Sequence, residues 1–141
     1  MNTLTRLLCT AVLGLATAAA ALAATPAPEG ASVYFIDLAD GAVVKSPLTV
    51  RFGLHGMGVA PAGVDRPNTG HHHLLVDVAE LPALDQPIPA DEHHRHFGAG
   101  QTETTLELAP GKHTLQLLLG DELHIPHQPP VVSERITITI E

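Results

Sequence analysis

The sequence has one cysteine, no tryptophan, one tyrosine and three phenylalanines in 141 residues. The cysteine, Cys9, lies in an apolar run near the N-terminus, so a chain that loses this run has no thiol. This excludes disulfides, thiolate metal ligands and a cysteine nucleophile from the rest of the protein. The shortage of aromatic side chains also disfavours a binding surface built on exposed aromatic residues.

Basic residues are few as well, at seven against fifteen acidic ones. Arg6 precedes an apolar run over residues 7–22 that ends in the small-residue pattern "ALA", which predicts a signal peptide over residues 1–23, cleaved after Ala23. We therefore expect a periplasmic protein without a membrane span. Loss of Arg6 leaves six basic residues against fifteen acidic ones, a net charge of −9 with neutral histidine, so nucleic acid and anionic membranes are not expected partners.

The remaining 118 or so residues are enough for one domain with a modest core. Residues 24–31, "ATPAPEGA", predict a flexible linker, and residues 32–141 predict a single domain. No segment of that domain has a helical period, and short runs with period-2 alternation are separated by Gly and Pro. This pattern predicts an all-β fold, an immunoglobulin-like antiparallel β-sandwich of about seven strands. The predicted strands lie within residues 32–38, 42–54, 71–81, 102–109, 111–121 and 131–141.

Three long segments rich in Gly and Pro are predicted to be loops, at residues 55–70, 82–101 and 122–130. Structureless loops of this length in a compact domain are often functional. All ten histidines lie in the part of the chain that follows the predicted signal peptide, and nine of them lie in or beside these loops. The exception is His113, on a predicted strand, which we interpret as a structural residue whose ring bonds nearby backbone.

Several histidines are spaced so that their side chains can point the same way. His71 and His73 are two apart on a predicted strand and therefore share a face, whereas His72 is expected to face the core as a hydrogen-bonded residue at the strand end. The same spacing relates His94 to His96. His124 and His127 are three apart around a proline, and in a polyproline-like stretch three residues make one turn.

These pairs predict a transition-metal site if the loops meet at one end of the sandwich. The candidate ligands are His71, His73, His94, His96, His124 and His127. A set of imidazoles without thiolates suits Zn(II), Cu(II) or Ni(II) and not a Cu(I) cage. Nearby carboxylates are candidates for orienting the rings. They are Asp77, Asp91, Glu92, Glu103 and Asp121.

The favoured function is therefore non-enzymatic binding of a transition metal, Cu(II) or Zn(II), in metal handling. An enzyme is not expected, because no serine lies in a nucleophile-elbow context and no general base is placed to activate water. Two alternatives remain open. One is an interaction module that binds an envelope protein or polymer, and the other is a domain that responds to pH through its ten histidines.

The chain resembles the domain of unknown function 4399 family, an uncharacterised exported bacterial domain. The resemblance is carried by "GHHHLLVD" (70–77), by "PIPADEHHRHFGAGQTETTLELAPGKHTLQLLLGD" (87–121) and by "HIPHQPPVVSERITI" (124–138). It implies a small exported domain and supplies no activity.

Overall fold

The structure, a computed structural model, describes residues 24–141. The predicted signal peptide lies outside the described residues. Within them no helix is long and apolar enough to span a membrane. The described chain forms nine strands, which are β1 (Ser32–Ile36), β2 (Val43–Val44), β3 (Leu48–His55), β4 (Gly58–Val59), β5 (Thr69–Val76), β6 (His94–His96), β7 (Glu103–Leu106), β8 (Gly111–Gly120) and β9 (Ile136–Ile140).

The strands form two sheets that pack face to face, so the predicted all-β sandwich is confirmed. The smaller sheet has the order β1-β3-β7, and the larger has the order β2-β9-β8-β5-β4, with β6 also paired to β5. Most pairings are antiparallel, while β2–β9 and β4–β5 are parallel. Two of the nine strands, β4 and β6, lie inside segments that the sequence predicts to be long loops. Both strands are short and pair with β5.

The core lies between the sheets and consists of alternate residues from their inner faces. On β8 these are Leu115, Leu117 and Leu119, all fully buried, as their period-2 spacing predicts. On β5 the core-facing residues include His72 and Leu74, and the ring centre of His72 lies 5.2 Å from that of Phe52. The predicted inward direction of His72 is confirmed. The predicted hydrogen bond is not, since neither ring nitrogen has a partner among residues 24–141.

The outer face of the larger sheet is not bare. A second apolar cluster there comprises Leu75, Ile88 and Leu118, and partly buried side chains from residues 78–81 pack against it. The segment that follows β5 therefore folds back over the sheet. This segment covers part of the face on which His71 and His73 lie, because residues 71, 73 and 75 alternate with the core-facing ones.

Residues 24–31, predicted as a flexible linker, contact the segment that follows β8. The Ala27 amide donates to the Gln128 carbonyl at 3.0 Å, and the Gln128 amide donates to the Thr25 carbonyl at 2.9 Å. The Thr25 hydroxyl also donates to the carboxylate of Asp121 at 2.7 Å. The first described residues thus pair with residues 121–128.

Candidate metal centre

Three segments that are far apart in sequence bring four imidazoles together on the outer face of the larger sheet. His71 and His73 come from β5, His96 from β6, and His124 from the loop after β8. The distances between ring centres range from 4.7 Å, for His71 and His73, to 6.2 Å, for His73 and His124. We call these four residues the histidine cluster.

The backbone pairing of β5 explains why three of the four rings meet. His73 lies directly opposite His96 on β6, and their ring centres are 5.1 Å apart. His71 is two residues before His73 on the same face, and its ring centre lies 5.0 Å from that of His96. One ligand atom from each of these three residues lies within 4.8 Å of those of the other two.

The fourth ring is positioned by a tight turn built around Asp121, a residue that is only 3 % exposed. The Asp121 carboxylate accepts the amides of Leu123 and Ile125, each at 2.9 Å, which is the side-chain-to-backbone pattern that favours turns. His124, inside this turn, has a left-handed φ of 68°. Its ring centre lies 5.0 Å from that of His71 and 4.8 Å from that of His96.

Two glycines make room for the rings. A Cβ atom at Gly120, which pairs with His71 across β8 and β5, would lie 2.8 Å from Cε1 of His73 and 3.2 Å from its Nδ1. A Cβ atom at Gly98 would overlap Cε1 and Nε2 of His96. No side chain other than hydrogen fits at either position without displacing a ring of the cluster.

Two rings of the cluster are desolvated, and several buried nitrogens lack the partners that buried polar atoms usually have. His71 and His73 are no more than 1 % exposed. Both ring nitrogens of His71, and Nδ1 of His73 and of His124, have no hydrogen-bond partner within the described part of the chain. A buried nitrogen without a partner costs free energy and calls for an explanation, such as an ion that it binds.

The electrostatics of the cluster favour neutral rings. Burial, followed by the neighbouring His124 and His96, lowers the pKa of His71 from 6.5 to about 4. Burial, followed by His71, His96 and His124, lowers the pKa of His73 to about 3. Burial and His124 also lower the pKa of His96. Neutral imidazole has a free lone pair, which is the form that binds a metal ion.

His94 and His127, the other two predicted ligands, are not part of the cluster. His94 lies opposite Leu75, which is two residues after His73 on the same face of β5. The Nδ1 of His94 donates to Asp91 at 2.9 Å. The ring of His127 lies beside Gly70, where a Cβ atom would meet its Cε1 at 2.9 Å, and its Nε2 donates to the Thr69 carbonyl at 3.1 Å. Gly70 shares a face with His72, so the ring of His127 lies on the side of β5 opposite the cluster.

The interpretation of His113 as a structural residue agrees with its contacts. Its Nε2 donates to the carbonyl of Ala109 at 2.8 Å, which is the expected bond to nearby backbone, and its Nδ1 donates to the carboxylate of Asp77 at 2.8 Å. Asp77 and Asp91 thus each bind a histidine ring outside the cluster. Asp121 binds backbone amides and so positions His124 from a distance.

Sequence reasoning missed the two glycines and the turn at Asp121. The residue types were visible in "HRHFG" and "LGDELH", but twelve glycines occur in the chain and nothing local singles these two out. The roles of these residues depend on a close approach between segments that are distant in sequence, which the sequence alone does not show.

Comparison with known proteins identifies a family and no activity. No curated protein and no solved structure matches the chain significantly. The family model for the domain of unknown function (DUF4399) matches residues 50–141, a range that includes all four histidines of the cluster, both glycines and Asp121. Since this match covers more than half of the sequence, the chain belongs to the domain of unknown function 4399 family.

Proposed function

We propose that the protein binds one divalent transition-metal ion, Zn(II) or Cu(II), through His71, His73, His96 and His124, and that it acts in metal handling and not as an enzyme. The observation that carries this proposal is the convergence of four imidazoles, three of which (His71, His73 and His124) have buried nitrogens with no hydrogen-bond partner among residues 24–141. A set of neutral nitrogen donors without thiolates is the chemistry that these ions accept.

The four residues of the cluster differ in their exposure to solvent. His71 and His73 are buried at its base, His124 is half-buried, and His96 is exposed at its solvent side. An ion from solvent would therefore meet His96 before it meets the two buried rings.

The periplasmic location belongs to the same proposal. It rests on the composition of residues 1–23, with a basic residue, an apolar run and a small-residue cleavage pattern. A site without cysteine suits an oxidising compartment, because imidazoles do not oxidise to disulfides there.

Native mass spectrometry and calorimetric titration of the purified protein with Zn(II) and with Cu(II) test the proposal. We expect one ion per chain. His71→Ala is expected to weaken binding by more than about 100-fold, since even groups that only orient a ligand affect affinity 10–100-fold.

The matched controls are His94→Ala and His127→Ala, which remove histidines that lie near the cluster in sequence and outside it in space. Both are expected to bind as the unchanged protein does. Equal losses in all three variants, or no ion retained by the unchanged protein, would contradict the proposal. Circular dichroism of each variant shows whether the sandwich is intact.

A further inference from the structure

The six distances between the ring centres of the cluster describe how the four rings are arranged. A ligating imidazole nitrogen lies about 2 Å from zinc, and its ring centre roughly 1 Å further, so four tetrahedral ring centres lie about 5 Å apart. Five of the six observed distances lie between 4.7 and 5.1 Å. The sixth, between His73 and His124, is 6.2 Å.

A square-planar arrangement does not fit these distances. Four imidazoles around a planar ion form two opposite pairs, whose ring centres are roughly 6 Å apart, and four adjacent pairs at about 4.5 Å. If His73 and His124 were one opposite pair, His71 and His96 would have to be the other. Their ring centres are 5.0 Å apart, which is the tetrahedral value and not the planar one.

The backbone that carries the fourth ring is held in place before any ion arrives. Two amides of the turn around His124 donate to the buried Asp121 carboxylate, and the Ile88 amide donates to the His124 carbonyl at 2.8 Å. Thr25 binds the other oxygen of Asp121. The backbone of His124 therefore does not have to be ordered when the ion binds. The ligand atoms that lie within 4.8 Å of one another are those of His71, His73 and His96, so the ring of His124 turns toward the ion as it binds.

We propose that the cluster is a closed tetrahedral site in which His124 is the fourth ligand and no position is left for water or substrate. This inference rests on the proposed metal-binding function. Zn(II) takes this geometry without penalty, whereas Cu(II) prefers tetragonal coordination. Closed four-ligand zinc sites hold their ion, and sites with an open position catalyse. The resident ion is therefore Zn(II), held without hydrolytic activity.

Cobalt(II) substitution tests the geometry directly. Tetrahedral Co(II) absorbs strongly in the visible region, and octahedral Co(II) absorbs weakly. The purified protein is titrated with Co(II), the spectrum is recorded, and Zn(II) is then added. We expect strong visible bands that saturate at one Co(II) per chain and disappear on addition of one equivalent of Zn(II).

The informative variant is His124→Asn, because asparagine tolerates the left-handed φ of this position and lacks the imidazole. We expect this variant to bind Co(II) more than about 100-fold more weakly and to give the weak spectrum of an ion that has gained water ligands, since removing a ligand exceeds the 10–100-fold cost of removing a group that orients one. His94→Asn is the control, on the same face of the sheet and outside the cluster, and it should keep the strong bands. Circular dichroism confirms that both variants fold.

The other possible outcomes each contradict a different part of the proposal. One bound Co(II) with a weak octahedral spectrum overturns the closed tetrahedral site and leaves metal binding intact. Strong bands that persist in His124→Asn overturn the role of His124. Binding of Cu(II) without Co(II) or Zn(II) overturns this inference and leaves the proposed function intact. The absence of bound Co(II), Zn(II) and Cu(II) overturns both.

Discussion

The two ends of the β5–β8 ladder carry histidines in opposite surroundings. At one end, both ring nitrogens of His113 donate to oxygen acceptors, Asp77 and the Ala109 carbonyl, which only the protonated ring can do. The bond to Asp77, followed by the bond to Ala109, raises the pKa of His113. At the other end, the cluster rings face one another, and the pKa values of His71 and His73 fall to about 4 and about 3.

The difference shows that the surroundings of a histidine decide what it can do. A ring between two oxygen acceptors keeps its proton and ties two strand ends together. Rings that are buried against other rings lose their protons, and their lone pairs become available to an ion. A count of histidines in the sequence does not separate these two cases, whereas the partners of each ring nitrogen do.

The largest expected effect is a loss of folding stability at low pH, which comes from the buried histidines at the cluster end of the ladder. In the metal-free protein the pKa of His71, His72 and His73 is lower in the folded state than the ordinary value of 6.5. The unfolded chain therefore binds protons first as the pH falls, so we expect stability to decrease from about pH 6.5 toward pH 4. The upper bound is roughly 1.4 kcal/mol per pH unit for each ring.

Urea unfolding of the metal-free protein between pH 8 and pH 4 measures this loss. The matched variant is His72→Leu, which removes one buried ring and should flatten the decrease. A free energy of unfolding that stays constant down to pH 4 would show that the buried rings do not resist protonation.

Removing one cluster ring separates metal binding from folding. We expect His73→Leu to abolish the stabilisation by Zn(II), which in the unchanged protein reaches about 2.7 kcal/mol at a free zinc concentration of 100 times Kd. Without metal, the variant should be as stable as the unchanged protein or more so, because a buried nitrogen without a partner among residues 24–141 has been removed. Thermal unfolding with and without Zn(II) measures both effects.

His94→Leu is the control for this comparison and should keep the zinc-dependent stabilisation. If His73→Leu keeps it too, His73 is not a ligand. A variant that is much less stable in the absence of metal would contradict the view that the ring lacks partners in the fold.

A smaller effect is expected at the glycine that makes room for the cluster. In Gly120→Ala the added methyl group lies 2.8 Å from the His73 ring, so the ring must move. We expect zinc affinity to fall about 10–100-fold, as when a group that orients a ligand is changed. In the control, Gly58→Ala, the nearest contact is an ordinary 3.5 Å to Thr69, and affinity should not change. Equal affinities in the two variants would show that the ring position is not set by Gly120.

The smallest effect is expected at the other end of the ladder, in His113→Gln. Because the folded-state pKa of His113 is raised, its contribution to stability is complete below pH 6.5 and is lost as the pH rises through the folded-state value. We expect a cost of about 1 kcal/mol at pH 6, since solvent reaches Asp77 and screens the pair, and little cost at pH 9. Urea unfolding at the two pH values measures it, and zinc affinity should be unchanged. A cost that is larger at pH 9 would contradict the protonated pair.

The sequence was sufficient for the parts of the site that depend on local periodicity. Alternation along residues 70–76 correctly put His71 and His73 on one face and His72 on the other. It did not reveal the strand at His96, because "HRH" carries no apolar alternation and forms a strand only by pairing with β5.

The sequence also did not predict that the ring of His124 joins the cluster while the ring of His127 lies on the opposite side of β5. A polyproline-like stretch would have turned both rings the same way. The chain instead forms a turn around Asp121, places His124 at a left-handed φ, and pairs Gly120 with Pro126. These features depend on contacts with residues 25–27 and with Ile88, which lie far away in sequence.

X-ray absorption at the zinc edge of the Zn(II)-loaded protein tests the central claim most directly, because it counts and identifies the atoms around the ion. The account predicts four nitrogen ligands at about 2.0 Å, with the outer-shell scattering of imidazole rings. Five or six ligands, mostly oxygen, or fewer than four imidazoles, would contradict a site formed by His71, His73, His96 and His124.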